Sequence, residues 1–426
     1  MLTVVPPGVT VRGRVAMLFP GVGSENAGMA LWLCERSAAA RDVMAEASDV
    51  SGVDVAALCA RPDVPPPGLE PWEAAQLGVL TAGQACRRAL LETAGLAPGW
   101  CLGHSLGEYT ALCAAGVLAF ADAVALVRER GRVLRECAAR VPGRMAWVVG
   151  LDAVVAAEVV EAAAAAGQQV FIGAYDAPDQ VTISGRDADL PAVIDELEGR
   201  GALVYPLPLR GAFHTPLMEP ARQALATTLR SVPMQRPRVT VVANWSGQPY
   251  TDARDIAAGL ARQLVAPVRW HAALQRLRDA GVHWAIEVGP KNVLGFTARR
   301  SAPSFEVRSL DGPAAWEALG AALDPAPAAR RRVVAGCLRG VVVSRTPHDV
   351  DAARYDATVA TPYRVVQARL LAAERAGSPP GAPLMAAAVS MLEGALRTKQ
   401  VPPARRERTL RAALGGVVVP TMAGTR

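Results

Sequence analysis

The stretch Trp100-Cys101-Leu102-Gly103-His104-Ser105-Leu106-Gly107-Glu108-Tyr109 constrains this chain most. An apolar strand arrives through Trp100–Leu102, and a helical pattern leaves through Glu108–Ala115. Between them lies Gly-x-Ser-x-Gly. A serine on a sharp strand-to-helix turn exposes its Oγ, and small residues on either side let the backbone bend. The N–H of Leu106 then sits at a helix N-terminus, where partial positive charge can hold an oxyanion. Ser105 is therefore the candidate nucleophile. The plain alternative is a serine in an ordinary turn, because the motif is short and the chain is rich in glycine.

A chain of 426 residues can bury a large core and form two or three domains. Apolar content of 51% against 20% charged residues describes a globular protein rather than a disordered one. The apolar runs are too short and too broken for a membrane span, and Met1–Gly13 reads as neither a secretory nor a transit signal, so a cytoplasmic location is expected. The seven cysteines include no C-x-x-C, which fits reduced thiols better than a disulfide framework or a zinc site. Arginine carries nearly all the basic charge, since the only lysines are Lys291 and Lys399, the usage of a GC-rich bacterial sequence. The net charge of +6 is uneven: residues 330–426 carry 16 basic and 6 acidic residues, a net of +10, and the remainder a net of −4.

Val15–Phe19 reads as a buried strand that ends in the tight loop Pro20-Gly21-Val22-Gly23-Ser24, followed by a helix over Ala27–Arg36. The loop lacks the third glycine of a dinucleotide fingerprint, so its use is better read as a Val22 N–H offered to a reacting centre. Pro62–Pro71 reads as a surface loop, and Glu73–Leu91 and Phe120–Ala139 as helices. The latter carries Arg128, Arg130, Arg132 and Arg135. Most arginines on such a helix face solvent, but Arg130 follows the serine by 25 residues, enough for the chain to return beside it. A guanidinium there could hold a substrate carboxylate bidentately.

From Arg144 to Leu207 the pattern runs strand, helix, strand, strand, helix, strand, the ferredoxin-like order. The chain returns with Arg210-Gly211-Ala212-Phe213-His214-Thr215-Pro216. An activated serine needs a base, and there are five histidines: His104, His214, His271, His283 and His348. His104 adjoins the serine and points elsewhere. His214 occupies the loop best suited to catalysis, with the others left open. Val239–Ala243, the helices Ile256–Leu264 and Val268–Ala280, and a last strand Trp284–Val288 complete a strand–helix alternation that implies a mostly parallel sheet. Beyond the helix Ala314–Leu323 and a linker Pro325–Ala329, the tail reads as helices over Val333–Val343 (or a strand), Val350–Tyr355, Pro362–Ala376, Pro383–Leu396 and Pro403–Leu414. It holds no chemical motif, and His348 reads as a solvated loop residue. Without aromatic interleaving or a reader motif, nucleic acid is not an expected partner.

From Val15 to Leu310 the chain resembles the malonyl-CoA:acyl carrier protein transacylases and the acyltransferase domains of polyketide and fatty acid synthases. The blocks Phe19–Ser24, Gly103–Tyr109, Arg130-Gly131, Gly211–Met218 and Glu287-Val288-Gly289-Pro290 carry the resemblance in order and spacing. It implies an α/β-hydrolase-like large domain over residues 1–143 and 209–324, a ferredoxin-like insertion over 144–208, and an additional basic, mainly helical region over 325–426. It implies that Ser105 is acylated, that His214 is its general base, and that a backbone carbonyl at Gln263 orients the histidine with no acidic third member. Val22 and Leu106 would form the oxyanion hole, and Arg130 would pair with the free carboxylate of a malonyl unit. Phe213 beside the histidine goes with unbranched malonyl rather than methylmalonyl units. No metal or cofactor is implied: malonyl-CoA is a substrate, and the acidic acyl carrier protein, which brings its own phosphopantetheine, is the partner that the basic tail would dock. Val22, Glu25, the loop Ala174-Tyr175-Asp176 and Lys291 depart from the family pattern and suggest a pathway-specific member. Two other readings differ in acceptor or turnover: a hydrolase that strips acyl groups from carrier proteins, and a carrier-binding scaffold without catalysis. The retained Arg130 argues against the first, and the intact Ser105 and His214 against the second.

Overall fold

The computed structural model describes residues 15–415 except 95, 283, 303–304, 324–326 and 348–349. His283, His348 and the first residues of the expected linker lie outside the described residues. The chain forms two compact units, one over Ala16–Ala89 and Gly99–Pro313, the other over Leu90–Pro98 and the chain from Ala314 onward.

In the first unit, β1 (Val15–Phe19), β2 (Trp100–Gly103), β7 (Thr240–Val242), β8 (Trp284–Glu287) and β9 (Glu306–Ser309) make a five-stranded sheet of order β7-β2-β1-β8-β9. β1 pairs with β2, β2 with β7 and β8 with β9, each in parallel. β1 is buried along its whole length, as a central strand covered on both faces must be. β9 is an addition to the expected strands: Trp284–Val288 is not the last. Its sequence Glu-Val-Arg-Ser is half-buried throughout, so an edge position replaced the apolar signal that would have announced it. Leu18, Leu102, Val242 and Ala285 from the sheet pack with Trp270, Leu274 and Leu277 of the helix Trp270–Asp279 in one core.

A four-stranded antiparallel sheet lies in the same unit, made of β3 (Gly143–Val149), β4 (Val170–Ala177), β5 (Gln180–Arg186) and β6 (Leu203–Arg210) in the order β4-β5-β3-β6. The helices Ala153–Ala165 and Leu190–Gly199 cover one face, with Val159, Val160, Val193 and Leu197 packed on Ala146, Val148, Ile172 and Ile183. β4 is tied to the chain before Trp270, where Tyr175 N donates to the Val268 carbonyl and Val268 N donates to that of Gly173, both at 2.9 Å.

Two local expectations need correction. The helix expected over Ala27–Arg36 is a single turn, Leu31–Cys34, because Gly28 and Ala30 take positive φ and hold the chain out of helix before it. The expected linker Pro325–Ala329 is already helical from Pro327, since a proline is tolerated in the first turn of a helix. In the second unit that helix, Pro327–Val343, settles the helix-or-strand ambiguity of Val333–Val343. It packs through Val334, Cys337 and Val341 against Leu392 and Leu396 of Ala382–Thr398 and Leu410 of Pro403–Leu414. The expected helix over Val350–Tyr355 begins at Ala352, capped by the Asp351 side chain, and passes through a π-helical turn, Asp356–Ala360, into Thr361–Arg375. Lys399 is buried and donates to the carbonyls of Val341 and Ser344 at 2.6 and 2.8 Å, which closes the carbonyl end of the helix Pro327–Val343. No helix of the described residues is long and apolar enough to cross a membrane.

Candidate active site

Ser105 follows β2 and precedes the helix Gly107–Ala114. Its φ is +51°, a region that L-residues avoid, so the turn is held by its surroundings. The flanking glycines are required by close approach. A Cβ on Gly103 would lie 1.9 Å from the carbonyl carbon of Gly107, and one on Gly107 would lie 1.9 Å from the Phe19 carbonyl oxygen. Strand and helix thus meet closer than any side chain permits, and the serine is pushed outward at the bend.

His214 comes from the loop after β6 and also has a positive φ, +61°. Its Nε2 lies 2.8 Å from Ser105 Oγ, and its Nδ1 lies 2.8 Å from the backbone carbonyl of Gln263. Gln263 is the last residue of the helix Ala253–Gln263, where carbonyls lack intrahelical partners and carry the negative end of the helix dipole. A carbonyl only accepts, so Nδ1 carries the proton. Burial holds the His214 pKa down at about 3, with the nearby Arg130 charge adding to the effect and the Gln263 carbonyl opposing it. The ring is therefore neutral at physiological pH, and Nε2 presents a lone pair to the serine hydroxyl.

Arg130 stands in the helix Phe120–Arg140 and is 5% exposed. Its Nη2 reaches Ser105 Oγ at 3.2 Å, its Nη1 bonds the Gln76 amide oxygen, and its guanidinium lies 5.8 Å from the Tyr109 ring centre. Burial pulls its pKa down. Arg130 Nε, Gln76 Nε2 and Tyr109 OH are buried with no protein partner. A buried cation with unsatisfied donors beside it suits an anion. The neighbouring arginines are spent elsewhere: Arg128 on the Ser51 carbonyl, Arg132 on Glu129 and Glu136, Arg135 on Glu73.

The Gly21–Gly23 loop lies against the serine, since a Cβ on Gly21 would be 2.8 Å from the His104 carbonyl oxygen and 3.7 Å from Ser105 Cβ. Two of the departures from the family pattern hold this loop. Glu25 accepts from Gly23 N at 2.7 Å, and Lys291 Nζ donates to the Gly23 carbonyl at 3.0 Å. Among the described residues, neither Val22 N nor Leu106 N is committed to a protein acceptor. Phe213 is buried beside His214, with its ring 5.5 Å from that of Trp72.

Several residues around Ser105 and His214 were not singled out from the sequence. Asn244, just past β7, accepts from Ser105 N at 2.7 Å and donates to the Gly103 carbonyl at 2.6 Å. Glu108, one residue beyond the motif, is fully buried beneath it. Asp176, which marks another departure, accepts from His104 Nε2 at 2.9 Å and from the Thr182 hydroxyl at 2.7 Å, and so holds His104 away from the serine. Position after a strand was the one signal for Asn244, and only the folded chain brings these groups together. His271 is half-buried, and its Nδ1 is unpartnered. Among the described residues no cluster of histidine, cysteine and carboxylate side chains suits a metal.

Chemically, this is a serine hydroxyl with a neutral base, a cation beside it, and two uncommitted N–H groups on adjoining turns. The profile of the acyl transferase domain matches residues 16–315. A malonyl CoA-acyl carrier protein transacylase of Salmonella typhimurium is 35% identical over 306 residues, which cover 72% of this chain and 98% of that protein. A polyketide biosynthesis protein of Burkholderia thailandensis, ThaF, is 34% identical over 72% of this chain but only 26% of its own length. Among solved structures, an acyl-carrier-protein S-malonyltransferase of Burkholderia pseudomallei superposes with a TM-score of 0.68 at 36% identity, over 72% of this chain and 99% of that one. A malonyl-transacylase solved in complex with a type II polyketide synthase acyl carrier protein gives 0.67 at 33% identity, over 71% and 97%.

Proposed function

The chain belongs to the acyl transferase domain family, and from that premise we propose that it moves a malonyl unit from malonyl-CoA, through a Ser105 ester, to the phosphopantetheine thiol of an acyl carrier protein. The observation that carries this reading is the buried Arg130 guanidinium 3.2 Å from Ser105 Oγ, a cation placed where the free carboxylate of a malonyl group would lie. The relatives named for malonyl transfer support the donor and acceptor.

In the first half-reaction His214 Nε2 takes the hydroxyl proton as Oγ attacks the thioester carbon. The oxyanion is held by the N–H groups of Leu106 and Val22. The tetrahedral centre collapses, the C–S bond breaks, and His214 returns the proton to the CoA sulfur. The imidazolium that forms in between is steadied by the Gln263 carbonyl. In the second half-reaction the carrier thiol gives its proton to His214 and attacks the Ser105 ester, the bond from the acyl carbon to Oγ breaks, and His214 returns the proton to Ser105 Oγ. The two halves share one site, which gives ping-pong kinetics. Phe213, packed on Trp72, narrows the acyl pocket in favour of unbranched malonyl.

The antiparallel sheet is read as a ferredoxin-like subdomain over residues 144–208, inserted in an α/β-hydrolase-like domain over 1–143 and 209–324. The basic region over 325–426 is assigned to docking an acidic carrier. Exposed Arg331, Arg332 and Arg339 on the helix Pro327–Val343 and Arg405 and Arg408 on Pro403–Leu414 provide the charge.

The test is intact-protein mass spectrometry after incubation with malonyl-, methylmalonyl- and acetyl-CoA, with Ser105→Ala as control. A malonyl adduct on the wild type alone, passed on to a carrier protein, is the expected result. Loss of the adduct to water at one rate with or without carrier would replace the reading by a hydrolase. No adduct from any of the three thioesters would remove the loading function for these donors.

A further inference from the structure

Among the described residues no carboxylate bonds to Ser105 or His214 directly, yet one stands behind them, reached through Gln263. Glu108 lies in the first turn of the helix Gly107–Ala114 and is 0% exposed. Its Oε1 accepts from the Tyr250 hydroxyl at 2.7 Å and its Oε2 from the Gln263 side-chain amide at 2.5 Å. Asn244 N faces both oxygens at 3.4 Å. Those partners are the groups that hold the two reacting residues. The Gln263 amide also donates to the Ser105 carbonyl at 2.9 Å, while the Gln263 backbone carbonyl orients His214. Asn244 holds the amide N–H of Ser105.

We propose that the ionised carboxylate of Glu108 is the positioning residue of this site, fixing Gln263 and Asn244 and through them both the serine and the histidine. The proposal rests on reading Ser105 and His214 as nucleophile and base. Among the described residues every hydrogen-bond partner of the carboxylate donates to it, and the Gln263 amide NH2 has no lone pair to receive a carboxyl proton. A proton on Oε2 would push the Gln263 NH2 away or turn the amide so that its unpartnered Oε1 accepts, and either breaks the bond to the Ser105 carbonyl; a proton on Oε1 would require the buried Tyr250 hydroxyl to turn from donor to acceptor. Ionised Glu108 keeps the network closed, and protonated Glu108 opens it.

This links the site to pH in a range where His214 does not titrate. Burial pushes the Glu108 pKa up to about 7, against the lowering influence of Tyr250, Gln263, Asn244 and the Arg130 charge. The other groups facing it keep their charge states: Tyr250 and Tyr109 are pushed up by burial and stay neutral, and Arg130 stays a cation. The reactivity of Ser105 thus rises as pH climbs through about 7, on the titration of Glu108, while His214 changes only near 3.

The experiment reads serine reactivity without a natural substrate. Phenylmethanesulfonyl fluoride is incubated with the full chain from pH 5 to 9, and labelling is followed by intact mass. Ser105 Oγ forms a bond to sulfur, its proton passes to His214, and fluoride leaves. Ser105→Ala is the blank. The wild type is expected to show a rising limb centred near 7. Glu108→Gln sets its NH2 either against that of Gln263 or against the Tyr250 hydroxyl, which must then turn from donor to acceptor, so it is expected to label roughly 10- to 100-fold more slowly at pH 8 and to lose the limb. Tyr250→Phe keeps the carboxylate and removes one donor to it, so its limb is expected to shift to higher pH by about half a unit or more. That shift separates positioning from mere packing and stands if Glu108→Gln does not fold. A limb that stays in place in Tyr250→Phe, or Glu108→Gln labelling at the wild-type rate, overturns the proposal while leaving the dyad intact. An unlabelled wild type removes the reading of Ser105 as nucleophile and this proposal with it.

Discussion

Replacing Arg130 by alanine tests whether the buried cation serves the substrate or the dyad. Arg130 lies at 3.2 Å from Ser105 Oγ and is 5% exposed, so a malonyl carboxylate drawn to it interacts in a poorly solvated site. At about 4 Å and an effective dielectric constant of about 20, a unit charge pair is worth roughly 4 kcal/mol. That figure sets about a 1,000-fold loss in kcat/KM for malonyl-CoA. Acetyl-CoA has no carboxylate and loses none of it, so the malonyl-to-acetyl preference should collapse by about the same factor. The Arg130 charge also holds the His214 pKa down, so the variant should carry a more basic histidine, while burial, the larger cause, remains. The assay is steady-state transfer from each thioester to a carrier protein at pH 8, with the acyl-enzyme followed by mass. Equal losses for malonyl and acetyl donors would refute the clamp and place Arg130 in support of Ser105 instead.

Three further outcomes follow from the geometry. His214 has its folded pKa lowered to about 3 from 6.5, so the unfolded chain takes up its proton first as pH falls. Its contribution is fully present above 6.5 and is lost as pH drops through 3, at most roughly 5 kcal/mol, and His214→Gln should remove that acid dependence from denaturant unfolding measured between pH 4 and 7. Gly107→Ala puts a Cβ 1.9 Å from the Phe19 carbonyl oxygen, so the turn must open. A stability loss of about 3 kcal/mol or more in thermal melts, with Ser105 labelling abolished, is expected, and near-wild-type behaviour would contradict the close approach. Reversing Arg332 and Arg339 to glutamate should raise KM for an acidic carrier about tenfold at low salt and leave transfer to free pantetheine unchanged; an equal effect on both acceptors would exclude docking by this helix.

Ser105, Arg130 and His214 were singled out because each sits in a short block whose residue types suggest its chemistry, whereas Gln263 entered only through the family resemblance. The strands were legible where burial demands apolar residues, as in β1. β9 was not, because a half-buried edge strand of Glu-Val-Arg-Ser carries no such pattern. The short helix at Leu31–Cys34 was overread for the opposite reason: apolar content suggested a longer one, and two positive φ angles prevented it.

The amino-acid sequence by itself determined the turn at Ser105, the alternation of strands and helices, and the concentration of positive charge after residue 330. All three are local, written in residue types and spacings that a few bonds can satisfy. Tertiary structure alone decided that the other arginines of the helix Phe120–Arg140 are spent on Ser51, Glu129, Glu136 and Glu73, and that the Gln263 carbonyl meets His214 across 49 residues of chain. It also decided that Glu108, a residue that reads as an ordinary helix-start carboxylate, is sealed from water among Tyr250, Gln263 and Asn244. A carboxylate's role depends on its solvation and partners, and these are supplied by segments more than 130 residues away, where no local pattern can record them.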